Sequence, residues 1–341
     1  MQPETGPCLP APSAWAAIPT TSSIALQPPC GMVPPRDARR TARVASSTQP
    51  EASSVRTGRG RTVAPLPLTT PVTSAQGVAS RLTALRAVLE HKRLDPSPPY
   101  KPEAWHEYLL AAGLLDKYPS IPDGLRLGFD AGIPPISQTF APFNHPSIAE
   151  HIVEFNAIIQ TEFQKGRYVG PVTREEVELL IGPFQTSPLS IIPKPGRPGK
   201  FQIIQNLSSP HSPLNSITSI NSSIDSSQYP CTWGTFSVIC LLIWHLPPGS
   251  QAAVHDVKEA YRGLPIRPEQ WPGLIVRLDK GDSFTIDTQD CFGLASGCGI
   301  YGRLGDADAQ IMRSHGIGPI SKWVDDHIFF RDWWLPLLSY N

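Results

Sequence analysis

The spacing of apolar residues along the chain changes near residue 77. Before that point apolar positions follow no period, whereas Val78, Leu82, Leu85 and Leu89 recur at the three- and four-residue spacing of one helix face. Similar spacing and helix start signals predict helices over 77–93, 103–115, 148–166, 173–181, 235–246 and 293–314. The helix at 235–246 is apolar on nearly all sides, which predicts that it is buried.

Short apolar runs bounded by turn residues predict strands. They lie at 189–193, 201–206, 251–257, 273–278, 283–287, 320–324 and 327–331. A basic loop rich in Pro and Gly, residues 194–200, joins the first two strands, and Asp325 and Asp326 form the turn between the last two. Residues 116–146 contain six prolines and are predicted to form a loop. After residue 182 the pattern is that of a mixed helix and strand domain.

Proline enrichment separates the N-terminal region from the rest. The chain has 39 prolines among 341 residues, roughly twice the usual share of ~5%. Residues 1–76 are rich in Pro, Ser, Thr and Ala and bury too little apolar surface to offset their ordering entropy, so they are predicted to be disordered. We therefore expect a tail over 1–76, a helical and loop-rich extension over 77–146, and a folded unit over 147–341. An adaptor protein whose proline-rich tail binds partner domains is one function class left open.

Charge and cysteine usage exclude few functions. Lys and Arg number 29, as do Asp and Glu, so the formal net charge is zero. Nucleic-acid-binding domains are usually basic, and any basic groove must here be local. The six cysteines include no C-x-x-C pair, so a zinc site is not indicated. Neither a signal peptide nor an apolar run long enough to span a bilayer is present, which predicts an intracellular location in the cytoplasm or nucleus.

Three acidic residues follow apolar strands at two places in the sequence. Asp256 lies near the end of the predicted strand 251–257, and Asp325 and Asp326 follow 320–324. Nucleotide-transferring enzymes use two Mg²⁺ ions about 3.5–4 Å apart, held by carboxylates and substrate phosphates. The three residues can form such a site only if both strand ends meet at one sheet edge. Taken alone, ordinary turn chemistry is the simpler explanation of Asp325 and Asp326.

Four motifs, in order along residues 184–331, resemble the core of a reverse transcriptase. Residues 187–201 are similar to the fingers hairpin that covers the incoming nucleotide. Residues 256–261, Asp-Val-Lys-Glu-Ala-Tyr, are similar to motif A, and 292–297, Phe-Gly-Leu-Ala-Ser-Gly, resemble motif B. Residues 323–326, Trp-Val-Asp-Asp, resemble the Tyr-x-Asp-Asp box of motif C. The likeness is greatest to reverse transcriptases of fungal retrotransposons.

The resemblance implies an RNA-directed DNA polymerase that performs two-metal nucleotidyl transfer. The implied fold class is α+β: the fingers and palm of a right-hand polymerase, with an antiparallel palm sheet and flanking helices, preceded by the disordered tail. The implied partners are an RNA or DNA template-primer, deoxynucleoside triphosphates and other domains of a retroelement polyprotein, with no membrane partner. The implied cofactor is a pair of Mg²⁺ ions, with Mn²⁺ as an alternative.

The resemblance also assigns roles to particular residues. The metal ligands implied are Asp256, Asp325, Asp326 and the backbone of Val257, the three aspartates also being the catalytic residues. The implied nucleotide-binding residues are Lys194, Lys200 and Tyr261, and the implied template or primer contacts are Gly293, Ser296 and Gly297. An aromatic ring at Tyr261, five positions after Asp256, would pack where a ribose 2′-hydroxyl projects, which favours DNA synthesis over RNA synthesis.

Two substitutions and the end of the chain depart from the family pattern. Gln202 stands where the family has an arginine that grips the triphosphate, and Asn206 stands where it has an aspartate. Loss of the guanidinium should weaken nucleotide binding by roughly 1–3 kcal/mol. The chain ends soon after Asp326, so we expect a C-terminally truncated polymerase without thumb. The alternative is a catalytically inactive retrotransposon remnant that at most binds nucleic acid.

Overall fold

The computed structural model describes residues 75–96, 98–278 and 281–331. The predicted disordered tail, apart from its last two residues, lies outside the described residues, as does the apolar segment 333–338. The described part has α1 (Ala75–Leu94), α2 (Pro102–Ala111), α3 (Ser120–Leu127), α4 (Ser147–Glu150), α5 (Ile152–Gln164), α6 (Arg174–Ile181), α7 (Phe236–His245) and α8 (Gly297–Ser314). Its strands are β1 (Tyr168–Thr173), β2 (Leu189–Pro193), β3 (Phe201–Gln205), β4 (Gln251–Asp256), β5 (Ile275–Arg277), β6 (Ser283–Asp287), β7 (Ile320–Trp323) and β8 (Asp326–Arg331).

These strands form three antiparallel sheets, so the fold is α+β as expected. The strand orders are β1-β6-β5, β2-β3 and β4-β8-β7. Strands β2 and β3 are a hairpin in which Pro193 pairs with Phe201. Strand β4 lies on β8, the second strand of the β7–β8 hairpin, and the pairing runs from Gln251 opposite Arg331 to Asp256 opposite Asp326.

One large apolar core joins most of the molecule. It contains Leu85 and Leu125 from the N-terminal helices, Phe284 from β6, and Tyr301 and Leu304 from α8. Residues on both sides of the expected boundary at 146 therefore share one core. A second, smaller core lies beneath the β2–β3 hairpin and consists of Ile148, Phe155, Ile159, Leu189, Ile191 and Val276.

Several predicted helices differ from the structure in their ends or continuity. The helix predicted over 148–166 is divided at His151, whose φ of −126° and ψ of 41° leave the helical region. The helix predicted to reach residue 115 ends at Ala111. The capping box is confirmed: Thr173 and Glu176 exchange side-chain and backbone hydrogen bonds at the start of α6.

The prediction that residues 116–146 form a loop is wrong over α3. Pro119 is the N-cap of this helix and Pro122 lies in its first turn, where the missing N–H would have no helical partner anyway. Proline there is compatible with a helix. Strand β1 was not predicted, because Gly170 and Pro171 interrupt its alternation.

The prediction that the helix at 235–246 is buried is also wrong. Helix α7 forms, with Thr235 as its N-cap, but none of its residues is buried. Phe236 and Trp244 are each 82% exposed, and Leu241 beside them is 60% exposed. Apolarity correctly predicted the helix, yet its environment depends on neighbours that apolarity does not reveal.

Candidate active site

The two acidic strand ends meet at one end of the β4-β8-β7 sheet. Asp256, the last residue of β4, lies directly opposite Asp326, the first residue of β8. The backbone N–H of Val257 donates to the carbonyl of Asp325 at 2.9 Å, which fastens the chain after β4 to the turn before β8. Directly opposite residues of an antiparallel pair project from the same face, with Cβ atoms about 4.5–5.5 Å apart. The structure therefore brings Asp256, Asp325 and Asp326 together.

The turn that carries Asp325 has an unusual backbone. Trp323 pairs with Asp326, so Val324 and Asp325 form a two-residue hairpin loop. Val324 has a φ of 51°, a left-handed conformation that two-residue hairpins usually assign to Gly, Asn or Asp. A β-branched residue is strained there, at a cost on the order of 1–3 kcal/mol. Such strain is often found at functional sites, where the surrounding structure holds it in place.

The electrostatics of the cluster disfavour three ionised carboxylates. Burial raises the pKa of the Asp325 carboxyl, and the charges of Asp256 and Asp326 raise it further. Burial also raises the pKa of Asp326, again with a contribution from Asp256. Neighbouring carboxylates repel one another, so a bound cation would stabilise their ionised forms.

The three carboxylates are the type of ligand that Mg²⁺ takes, but they do not form a grouped ligand set by themselves. Within residues 75–96, 98–278 and 281–331, no three His, Cys, Asp or Glu side chains are grouped closely enough to hold a metal ion. Mg²⁺ usually takes one or two carboxylates and completes its shell with water and substrate phosphates. Hard carboxylate oxygens on an accessible sheet edge, with Asp256 exposed and Asp325 and Asp326 half-buried, fit that mode of binding.

Tyr261 follows Asp256 in a short 3₁₀ turn, Tyr261–Gly263. Its side chain is buried, its hydroxyl lies 3.2 Å from Sγ of Cys298, and its ring centroid lies 4.9 Å from that of Phe292. The ring of Tyr301 in α8 is also within contact distance, at 5.5 Å. Tyr261 therefore packs directly against Phe292, the first residue of the segment that resembles motif B.

The loop before α8 is anchored by an asparagine that the sequence did not single out. The Asn221 amide donates to the carbonyl of Gly293 at 2.8 Å, and its oxygen accepts from the backbone N–H of Ala295 at 2.9 Å. Gly293 is exposed, with a φ of 94°. Ser296 and Gly297 are buried, so of the three expected template contacts only Gly293 is accessible in this conformation.

Lys194 and Lys200 lie at the tip of the β2–β3 hairpin. Both side chains are exposed, and the backbone N–H of Lys194 donates to the carbonyl of Lys200 at 2.7 Å. Gln202 is opposite Ile192 in the hairpin, and the ring of Phe201 is 4.6 Å from that of His151. The hairpin thus presents three exposed cations at its end, Arg197 lying between the two lysines, while its base packs on the α4–α5 junction.

A network of ion pairs surrounds the turn after Asp256, and sequence reasoning did not anticipate it. Arg262 is 9% exposed and pairs with Asp287 and Glu162 at 2.7 Å each. Glu259 pairs with Arg167 at 2.7 Å and with Lys165. The partners lie far apart in sequence, and only the charges of Glu259 and Arg262, in and just after the segment that resembles motif A, could have drawn attention to them.

Comparisons with known proteins give a limited likeness. No family model matches the chain, and no curated protein matches it. Among solved structures, the chain is similar to prototype foamy virus protease-reverse transcriptase in a CSH mutant form: 14% identity, TM-score 0.40, covering 73% of this chain and 29% of that chain. It is likewise similar to the foamy viral protease-reverse transcriptase in complex with an RNA/DNA hybrid, at 15% identity and TM-score 0.39, covering 74% of this chain and 29% of that chain. This chain thus spans under a third of those proteins.

The similarity also extends to a dRH form of the foamy viral protein in complex with double-stranded DNA. That structure is 16% identical with a TM-score of 0.35, covering 74% of this chain and 38% of that one. The TM-scores are low, and nothing about the activity of this chain follows from the likeness. In the described part of the chain, every helix is too short or too polar to cross a membrane.

Proposed function

We propose that this chain is the fingers-and-palm portion of a reverse transcriptase from a retrotransposon of the fungal kind, an RNA-directed DNA polymerase. The observation that carries the proposal is the pairing of Asp256 with Asp326 beside the Val324-Asp325 turn. Two motifs that resemble polymerase motifs A and C thereby place three carboxylates at one sheet edge.

In this proposal Asp256 and Asp325 are the principal ligands of two Mg²⁺ ions, with Asp326 and the backbone of Val257 supporting them. When bound, the ions would activate a primer 3′-hydroxyl and stabilise the leaving pyrophosphate. The protein contributes position and charge. Its strained turn and the Val257–Asp325 hydrogen bond hold the carboxylates in place before substrate arrives.

The remaining roles follow from position. Lys194 and Lys200 at the hairpin tip would bind the phosphates of a deoxynucleoside triphosphate, and Gly293 on the exposed loop would approach the template-primer. Tyr261 would exclude a ribose 2′-hydroxyl, with Phe292 packed beside its ring. Its burial against Tyr301 supports this reading, because a fixed ring discriminates by shape better than a mobile one.

A second candidate function is supported by Gln202. This neutral side chain occupies the position where the family carries a phosphate-binding arginine, and an amide makes weaker phosphate contacts than a guanidinium. The candidate is a catalytically inactive remnant of the same domain that binds a template-primer but does not extend it.

Primer extension on an RNA template separates the two candidates. The full chain should incorporate deoxynucleotides in a reaction that depends on Mg²⁺ or Mn²⁺, and Asp325→Ala should abolish incorporation while leaving template binding intact. The matched control is Asp123→Ala, which removes an exposed carboxylate on α3 and should extend primers as the unaltered chain does.

Each result has a different meaning. Template binding without incorporation, under both Mg²⁺ and Mn²⁺, would support the inactive remnant. Incorporation that survives Asp325→Ala would refute the assigned metal site, because the reaction would then not depend on that carboxylate. Loss of both binding and incorporation in the unaltered chain would contradict both candidates.

A further inference from the structure

Six charged side chains form one connected network between α5, β6 and the turn after β4. Arg262 uses all of its guanidinium nitrogens: Nη2 donates to Glu162 at 2.7 Å, Nε to the same carboxylate at 3.3 Å, and Nη1 to Asp287 at 2.7 Å. Nη1 also donates to the carbonyl of Asp290 at 3.0 Å. Arg262 is thereby fastened at once to a helix, a strand and the chain leading to α8.

A second set of contacts holds the preceding turn. Glu259 has a φ of 56°, a left-handed conformation that is costly for a residue with a side chain. Its carboxylate accepts from Arg167 at 2.7 Å and from Lys165. Arg167 in turn lies 3.4 Å from Glu162, so the two sets of contacts are continuous.

The charges of the network balance. Lys165, Arg167 and Arg262 face Glu162, Glu259 and Asp287, three cations against three carboxylates. The side chains of Arg167, Arg262 and Glu162 are only 10–15% exposed. A site for substrate phosphate would need unpaired positive charge on an open surface, and this arrangement offers none. The network is therefore suited to fixing the backbone between its anchor points.

That backbone carries Tyr261. Successive side chains of a 3₁₀ turn point about a third of a revolution apart, so anchoring Arg262 on one side directs its neighbour Tyr261 to another. There Tyr261 packs on Phe292 and Tyr301. Loosening Arg262 or Glu259 would let the turn rotate and withdraw the tyrosine ring from this position.

We propose that the Glu162–Arg262 and Arg167–Glu259 ion pairs are a positioning network that fixes Tyr261 and thereby sets the selection of deoxyribose over ribose. This inference rests on the proposed polymerase function. Glu162 is the positioning residue of greatest consequence because it touches both arginines while lying outside all four sequence motifs.

The test is nucleotide discrimination in the full chain carrying Glu162→Gln, which keeps the shape of the side chain but removes its charge. We expect the ratio of kcat/KM for deoxynucleotides to that for ribonucleotides to fall about tenfold, equivalent to ~1.4 kcal/mol. Most of the change should come from a lower KM for ribonucleotides. In a Tyr261→Ala background the same substitution should have no further effect, because the residue through which it acts is gone.

Two variants keep the result interpretable. Glu178→Gln removes one partner of the exposed Arg174–Glu178 pair on α6 and should leave discrimination unchanged. Glu259→Gln, at a half-exposed position, replaces Glu162→Gln if the latter fails to fold, and should lower discrimination in the same direction. Hydrogen exchange of backbone amides 257–263 should accelerate in Glu162→Gln and not in Glu178→Gln.

The outcomes separate this inference from the polymerase assignment. Two results would overturn the positioning role without affecting the polymerase assignment. One is normal extension with unchanged discrimination in Glu162→Gln, and the other is an equal fall in discrimination when Glu162→Gln is made in the Tyr261→Ala background. A chain that never extends a primer would refute the polymerase and sugar selection together. Hydrogen exchange of 257–263 would then still decide whether the network anchors this turn.

Discussion

At the scale of single residues, the carboxyl group of Asp290 has an environment that few aspartates share. It is fully buried, neither oxygen makes a hydrogen bond of normal geometry, and both lie 3.0–3.2 Å from the position that a Cβ on Gly297 would occupy. Burial raises the pKa of Asp290 to about 8, against the smaller opposing effects of the Cys291 backbone N–H and the Arg262 charge. Asp290 is therefore a neutral acid at pH 7.

This protonation makes the stability of the fold depend on pH. The folded pKa of about 8 lies above the unfolded value of ~3.9, so between these limits the folded state holds a proton that the unfolded state has lost. The Asp290 contribution is therefore fully present at low pH and declines as pH rises toward 8, by on the order of 1 kcal/mol per pH unit.

Asp290→Asn should remove that decline, because an amide does not ionise. Urea unfolding at a series of pH values between 4 and 9 should show the variant gaining stability relative to the unaltered chain as pH rises. Asp123→Asn, at an exposed position, controls for the change of formal charge. A stability difference that does not vary with pH would contradict the neutral acid.

The strain at Val324 can be measured against a second valine. Val324 and Val257 are both half-buried and pack against the same core, but only Val324 has a positive φ. Glycine relieves a left-handed backbone of about 1–2 kcal/mol of strain, whereas at Val257 it relieves none. Val324→Gly should therefore cost about 1–2 kcal/mol less unfolding free energy than Val257→Gly, as measured by urea denaturation. Equal losses would show that the turn is unstrained.

At the scale of elements, helix α8 tolerates four glycines because neighbouring segments approach its backbone. A Cβ on Gly299 would lie 2.3 Å from the carbonyl oxygen of Tyr229, and one on Gly302 would lie 2.9 Å from Cβ of Cys231. Each glycine costs a helix about 1 kcal/mol relative to alanine. The close approach of segment 229–231 to α8 explains why the sequence accepts that cost.

Gly299→Ala should consequently destabilise the protein although alanine is the better helix former. Overpacking against a backbone that cannot rotate away costs about 1–3 kcal/mol. Gly305→Ala is the comparison, because its Cβ would meet a side-chain methylene, Cδ of Lys322 at 2.8 Å, rather than a backbone atom. The thermal unfolding midpoint of Gly299→Ala should be lower than that of Gly305→Ala. The reverse order would contradict the packing argument.

Sequence patterns predicted most elements of this fold, and the failures have identifiable causes. Local periodicity located β2, β3 and β6 and the capping box of α6, since those signals depend on neighbouring residues alone. Helix α3 was missed because proline content was given more weight than proline position. The exposure of α7 was missed because periodicity contains no information about which other segments cover a face.

At the scale of the whole molecule, the candidate site also combines features that local sequence predicts with contacts that only the folded chain determines. The proximity of Asp256 to Asp326 could be predicted because each ends or begins an apolar strand, and the resemblance paired the two motifs. The Glu162–Arg262 contact could not, because the residues are separated by 100 positions and neither belongs to a local pattern. Long-range ion pairs depend on the assembled core, so a sequence reveals them only once its topology is known.

The stability of the whole molecule should respond to magnesium if the three carboxylates bind it. Burial and the charge of Asp256 raise the pKa values of Asp325 and Asp326, so the ion-free fold contains electrostatic repulsion that a divalent cation would relieve. A ligand present at a hundred times its dissociation constant stabilises a fold by ~2.7 kcal/mol. We expect Mg²⁺ to raise the unfolding midpoint of the full chain, and Asp256→Asn to raise the ion-free midpoint while reducing the gain from Mg²⁺. Sodium chloride at matched ionic strength controls for general screening. A gain that sodium chloride reproduces, or that Asp256→Asn retains in full, would mean that the acidic sheet edge is not where the ion binds.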